Sequence, residues 1–164
     1  MKPRLLKVLT VISILVITVI VAISHGQPNE NSTAAEVKQA ILDRLAEIQD
    51  AAQALDPDKV FSYVTENDSG ALIQNGKLYL TREEALESTK RGFEGLQSVN
   101  YQFDRQYVTL LSPTVALAVS EGVSDATIND GRTFNTRFAQ SVIFVLTDGE
   151  WKVFHSHRSF IPVK

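Results

Sequence analysis

Gly149-Glu-Trp-Lys-Val-Phe-His-Ser-His-Arg-Ser-Phe160 reads as a β-strand that carries two histidines and one arginine. It follows Thr147-Asp148-Gly149, a tight-turn signal between two apolar runs. Upstream lie three more long, β-rich runs: Val99–Leu111, Thr114–Ile128 and Arg132–Thr147. Ser112-Pro113, Asn129-Asp130-Gly131 and Asp148-Gly149 separate the four. Long runs joined by short turns predict an antiparallel meander.

Before the meander the pattern changes from period two to helical. Thr33-Ala-Ala-Glu36 is a capping box, in which side chains satisfy free backbone N–H groups of the first turn. Val37, Ile41, Leu45, Ile48, Ala52 and Leu55 then recur at helical spacing, predicting a helix over about 34–55. Asp56-Pro57 opens a short second helix with Val60, Phe61 and Val64 on its apolar side. Asn75-Gly76 is a hairpin signal between Ala71–Ile73 and Lys77–Leu80. Thr81-Arg-Glu-Glu84 is a second capping box, and its helix should stop near Phe93, at Gly92 and Gly95. Helices first and a meander second predict an α+β domain.

That element order resembles the SnoaL-like, nuclear transport factor 2-like superfamily over about residues 33–161. Within it, Asp148-Gly-Glu-Trp-Lys-Val-Phe-His-Ser-His-Arg-Ser159 is similar to the end of the calcium/calmodulin-dependent protein kinase II association domain. The resemblance implies a cone-shaped α+β fold, with three N-terminal helices packed on a curved antiparallel meander sheet around a pocket. It also implies self-association, most simply as a homodimer through the outer sheet face. Of that branch's pocket arginines, Arg158 matches by motif, and the position aligned with another holds Glu121. The superfamily includes isomerases, cyclases and dehydratases as well as non-enzymatic domains, so the fold alone does not give a function.

Strand alternation sorts the candidate pocket residues independently. Tyr101, Phe103, Arg105, Tyr107 and Leu111 share one face of the first long strand. Val115, Leu117, Val119, Glu121 and Val123 share one face of the second, opposite Ala116, Ala118, Ser120 and Gly122. Phe134, Phe138, Gln140, Val142, Phe144 and Leu146 align on the third, and Phe154, Ser156, Arg158 and Phe160 on the fourth. Trp151, Val153, His155, His157 and Ser159 fall on the opposite face of that last strand. The bulkier faces are expected to meet the helices, which makes Tyr101, Arg105, Tyr107, Glu121, Gln140 and Arg158 the polar groups of an apolar cup. Such a cup suits a small-molecule ligand. Tyr63, on the short helix, could reach its rim. A guanidinium there needs an anion, either Glu121 in a core ion pair or a ligand carboxylate. A β-bulge would flip part of a strand and alter the list. His155-x-His157 is an alternative polar site on the other face. Two imidazoles are too few for a zinc site, so neither metal nor cofactor is expected.

The remaining features bound where the domain works. The chain has 164 residues, one domain of ordinary size, and no cysteine. Disulfides and thiolate chemistry are therefore excluded. Lys2, Arg4 and Lys7 precede an apolar run from Val8 to Ile23, with Ala22-Ile23-Ser24 as a candidate cleavage site. Residues 1–26 thus read as a signal peptide or N-terminal membrane anchor, 27–32 as a linker and 33–164 as the domain. The basic flank predicts that the domain is exported, with the membrane touched only by an uncleaved N-terminal segment. Without those three basic residues, thirteen basic residues face nineteen acidic ones, a formal charge of −6. An acidic domain without a basic stripe predicts no nucleic-acid partner. Two functions remain. One is an exported domain that binds a small ligand, self-associates, or both, without established catalysis. The other is a small acid–base enzyme of the isomerase, cyclase or dehydratase kind. No carboxylate or histidine constellation singles out the second, so the first is favoured.

Overall fold

The computed structural model describes residues 33–162. The expected signal or anchor, the linker and the export reading lie outside the described residues. Helix α1 spans Ala34–Gln53. Its capping box is formed, with Glu36 N donating to Thr33 Oγ1 at 3.3 Å and Thr33 N donating to the Glu36 carboxylate at 2.7 Å. Leu55, at φ 55°, turns the chain, and Asp56 accepts the Lys59 N–H at 2.8 Å to cap α2, Pro57–Ser62. Strands β1 (Leu72–Gln74) and β2 (Lys77–Tyr79) form the expected hairpin. Asn75 and Gly76 both take positive φ there, as a tight two-residue turn requires. Helix α3, Arg82–Glu94, starts at Thr81 and ends at Gly95.

Four long strands follow: β3 (Leu96–Ser112), β4 (Val115–Ile128), β5 (Thr133–Thr147) and β6 (Glu150–Pro162). They pair antiparallel, as the turn signals predict. The hairpin also joins this sheet, because β1 pairs in parallel with β6 over Leu72–Gln74 and Ser156–Arg158. The result is a six-stranded mixed sheet in the order β2-β1-β6-β5-β4-β3. The parallel pairing is nonlocal, and no turn motif announces it.

Helix α1 lies on the sheet through Val37, Ile41 and Leu45, which share a core with Ala116, Ala118, Val142, Phe144, Trp151 and Val153. This arrangement corrects three of the face assignments. On β4 the small residues Ala116, Ala118, Ser120, Gly122 and Ser124 point inward, and the bulkier Leu117, Val119 and Glu121 point outward. Alanines directly beneath α1 leave room for its Ile41 and Leu45, so close helix approach outweighs side-chain bulk in choosing the face.

On β3 a bulge at Asp104 changes the phase, since Phe103 pairs with Gly122 but Arg105 pairs with Glu121. Tyr101 and Phe103 face inward before it. Val108 and Leu110 do so after it, which sends Arg105, Tyr107 and Leu111 to the outer face. On β6 a bulge at Phe154 does the same, because Val153 pairs with Phe144 but His155 with Ile143. Trp151 and Val153 therefore share the inner face with Ser156 and Arg158 instead of opposing them. The β6 bulge sits where the strand changes neighbour. Val153 exchanges backbone hydrogen bonds with Tyr63 and Thr65, and Ser156 N donates to Ala71 O.

Candidate functional site

The inner face of the sheet and the three helices enclose a cavity of about 290 Å³. Leu45, Ile48 and Ala52 of α1, Val60 and Phe61 of α2, and Gly92 and Phe93 of α3 form its helical wall. Gln74, Tyr101, Gln140, Val142, Val153, Ser156 and Arg158 form its sheet wall. Among the described residues no aspartate, glutamate or histidine lines it.

Arg158 is the one cation in that lining. It stands between Gln140 on β5 and Gln74 on β1, its register partners on either side. Arg158 Nε donates to Gln140 Oε1 at 2.8 Å, and Nη2 donates to the same oxygen. Gln140 is only 6% exposed, so this acceptor is fixed in place. Three rings flank the guanidinium, with Tyr101 and Phe138 centroids each 5.3 Å away and Phe160 at 5.9 Å. Cation–π attraction of about 0.5–2 kcal/mol per ring offsets part of the lost hydration. Burial still pushes the guanidinium below its ordinary pKa, with Tyr101 acting in the opposite direction. Arginine keeps its charge through such a shift. Among the described residues no carboxylate lies within ion-pair distance of it.

The ring cradle depends on β3 and β4. Phe138 packs edge-to-face against Phe103 at 5.3 Å and Tyr101 at 5.9 Å. Between Phe103 and Phe138 on the inner face stands Gly122, the register partner of both. With no side chain there, the two rings meet across the strand. Tyr101 lies on the sheet's outermost strand, where its backbone groups lack a strand partner. Gln53 Oε1 accepts its N–H and Gln49 Nε2 donates to its C=O, both at 2.9 Å, so α1 holds that edge.

The structure thus brings Tyr101, Gln140 and Arg158 together at the cavity and separates them from the other expected site residues. Glu121 and Arg105 pair with each other on the outer face, with Arg105 Nε donating to Glu121 Oε1 at 2.8 Å. A Glu121–Arg158 core ion pair is therefore corrected, because β4 turns its small face inward. Tyr107 is 61% exposed on the same outer face, displaced there by the β3 bulge. Tyr63 does not reach the cavity rim. It lies under Arg44 and Lys59, 4.6 and 4.9 Å from its ring centroid. His155 Nδ1 is 2.6 Å from Gly70 O and ties β6 to the chain entering the hairpin. His157 is exposed on the outer face, and no metal-ligating cluster is present among the described residues. Sequence does not single out Gln74, and it puts Ser156 on the Arg158 face without counting it among the polar groups of the cup. Gln74 and Ser156 reach the cavity through the β1–β6 pairing, and Gly92 reads in sequence only as a helix stop.

The chain belongs to the SnoaL-like domain family, whose pattern matches residues 41–164. Its fold is that of the nuclear transport factor 2-like superfamily. A superfamily protein from Salmonella enterica serovar Typhimurium LT2 superposes with a TM-score of 0.73 at 17% identity, covering 80% of this chain and 95% of its own. A candidate dehydratase of the same family from Streptomyces avermitilis gives 0.70 at 14%, covering 80% and 99%. A type 2 hexachlorocyclohexane dehydrochlorinase gives 0.65 at 13%, covering 77% and 88%. At these identities the likeness establishes the fold alone. No curated protein matches the sequence.

Proposed function

We propose that this SnoaL-like domain binds a small organic anion, held by its carboxylate on Arg158, and favour this over an acid–base enzyme. One observation carries the reading: a guanidinium without a carboxylate partner among the described residues faces a cavity whose other lining groups are uncharged. A charge in that position is stabilised by a bound anion, and a charge-assisted hydrogen bond contributes about 1.5–3 kcal/mol. The lining favours binding over the acid–base alternative, since the carboxylates and imidazoles that most often transfer protons are absent from it among the described residues, which leaves Tyr101 as its one titratable group besides Arg158. Titration calorimetry with small carboxylates on wild type and Arg158→Gln tests this. Affinity should fall on the order of tenfold to a hundredfold in the variant. Equal affinities in the two proteins would sink the proposal.

The same domain is proposed to pair with a second copy of itself through the outer sheet face. Two cross-strand rows run there, Tyr107–Val119–Ser141–His157 and Arg105–Glu121–Ala139–Ser159. They line a groove of about 420 Å³. Its floor is small (Ala139, Ser141 and Ser159), while Tyr107 projects and Leu111 is 58% exposed. A knob and a small floor on one face are self-complementary under a two-fold axis. Light scattering should give a dimer for wild type and a monomer for Tyr107→Glu. A wild-type monomer at micromolar concentration would contradict the pairing.

A further inference from the structure

We infer that the anion is a monocarboxylate with an apolar body, its head on Arg158 and Gln140 and its tail directed toward Gly92 on α3. This rests on the anion-binding reading above and narrows it. The polar groups of the cavity are not spread evenly. Gln74, Gln140, Ser156 and Arg158 sit on the adjoining strands β1, β5 and β6, and Tyr101 stands beside Arg158 from β3, so all five lie on the sheet wall. Because Gln140 turns its oxygen to Arg158, its amide nitrogen is left as a donor beside the guanidinium. Arg158 has committed Nε and one Nη2 proton to that oxygen, so the end of the guanidinium remains for a two-point contact with a carboxylate.

The helical wall offers no second polar anchor. Leu45, Ile48, Ala52, Val60, Phe61 and Phe93 are apolar. Its two hydroxyls already donate within the protein, Ser88 Oγ to Tyr79 Oη at 2.7 Å and Thr89 Oγ1 to Ala85 O at 2.9 Å. A second charge on the ligand would be buried there unpaired, at a cost of several kcal/mol. The volume, about 290 Å³, holds roughly ten waters at ~30 Å³ each, so the whole ligand, carboxylate included, is about that many non-hydrogen atoms.

Gly92 marks where the cavity opens. It lines the cavity, is exposed, and lies inside α3 without a left-handed φ. A Cβ built on it meets nothing within 4 Å. Neither backbone conformation nor crowding calls for glycine at this position, and in a helix it costs about 0.5–1 kcal/mol relative to alanine. Its bare backbone leaves the tail end of the cavity unobstructed.

Calorimetry on the full chain tests the inference with 3-phenylpropanoate, octanoate, succinate and 3-phenylpropanamide. The first two should bind, and the stronger of them identifies the body as aromatic or aliphatic. Succinate and the amide should each bind at least about tenfold more weakly. Gly92→Leu should weaken both long carboxylates at least fivefold while unfolding at or above the wild-type denaturant midpoint. Succinate as tight as 3-phenylpropanoate, with both lost in Arg158→Gln, would overturn the apolar body and leave anion binding standing. Failure of all three carboxylates to bind wild type would overturn both. A folded Gly92→Leu that binds like wild type would overturn the tail placement.

Discussion

Trp151→Ala is expected to lower the unfolding free energy by about 3–5 kcal/mol. The indole is 2% exposed, in one cluster with the fully buried Phe144 and Ile41 and with Val153. It sits at the start of β6, opposite Leu146 on β5, under the helix that also walls the cavity. Removing it leaves a void that α1 and the sheet cannot close together without moving Ile41 and Leu45. One feature lowers its net contribution, because Trp151 Nε1 is buried without a hydrogen-bond partner among the described residues. An unpaired buried donor costs about 1–3 kcal/mol. Trp151→Phe, which deletes that donor and keeps most of the volume, should therefore cost less than half as much as Trp151→Ala. Chemical denaturation of the two variants reads both numbers. A loss below about 1 kcal/mol for the alanine variant would remove Trp151 from the core.

Gly122→Ala should be as damaging, through a different cause. A Cβ at Gly122 would lie 2.1 Å from the Gln102 carbonyl oxygen and 3.0 Å from Phe103 Cα. Both are backbone atoms of the neighbouring strand, so no rotamer change relieves the contact. The β3–β4 pairing must open at the bulge, at a cost of about 3 kcal/mol or more. The displaced Phe103 and Phe138 rings also hold Arg158 through Phe138, so ligand affinity should fall together with stability. Denaturation of the variant beside wild type measures the effect. An unchanged midpoint would mean that the strands do not approach here as described.

The parts of this structure that could be read from sequence are those determined by near neighbours along the chain. Thr33 and Glu36 cap a helix with their own side chains, and Asn75-Gly76 and Asp148-Gly149 turn the chain by their own backbone preference. Arg158 and Gln140 could be placed on the inner face because β5 is regular throughout and β6 is regular beyond Phe154. What could not be read depends on distant partners. The Asp104 bulge faces Gly122 across β3 and β4, and Asp104 itself pairs with Arg137 on β5 at 2.9 Å. The Phe154 bulge exists because β6 leaves residues 63–65 for β1. Each bulge shifts the alternation by one residue, which is enough to move Arg105 and Tyr107 outward and Trp151 inward. The inward small face of β4 had a legible sign in the run Ala116, Ala118, Ser120, Gly122. Alternating small residues on a buried strand leave space for something large, here α1.

Arg158 is the proposed anchor of a bound carboxylate. A crystal structure of the chain grown with 3-phenylpropanoate examines that most directly. The prediction is a carboxylate about 2.7–2.9 Å from the Arg158 Nη atoms, with the phenyl group against Ile48, Phe61 and Phe93. A structure in which Arg158 is instead paired with a carboxylate of the protein, or extends into solvent away from the ligand, would contradict it.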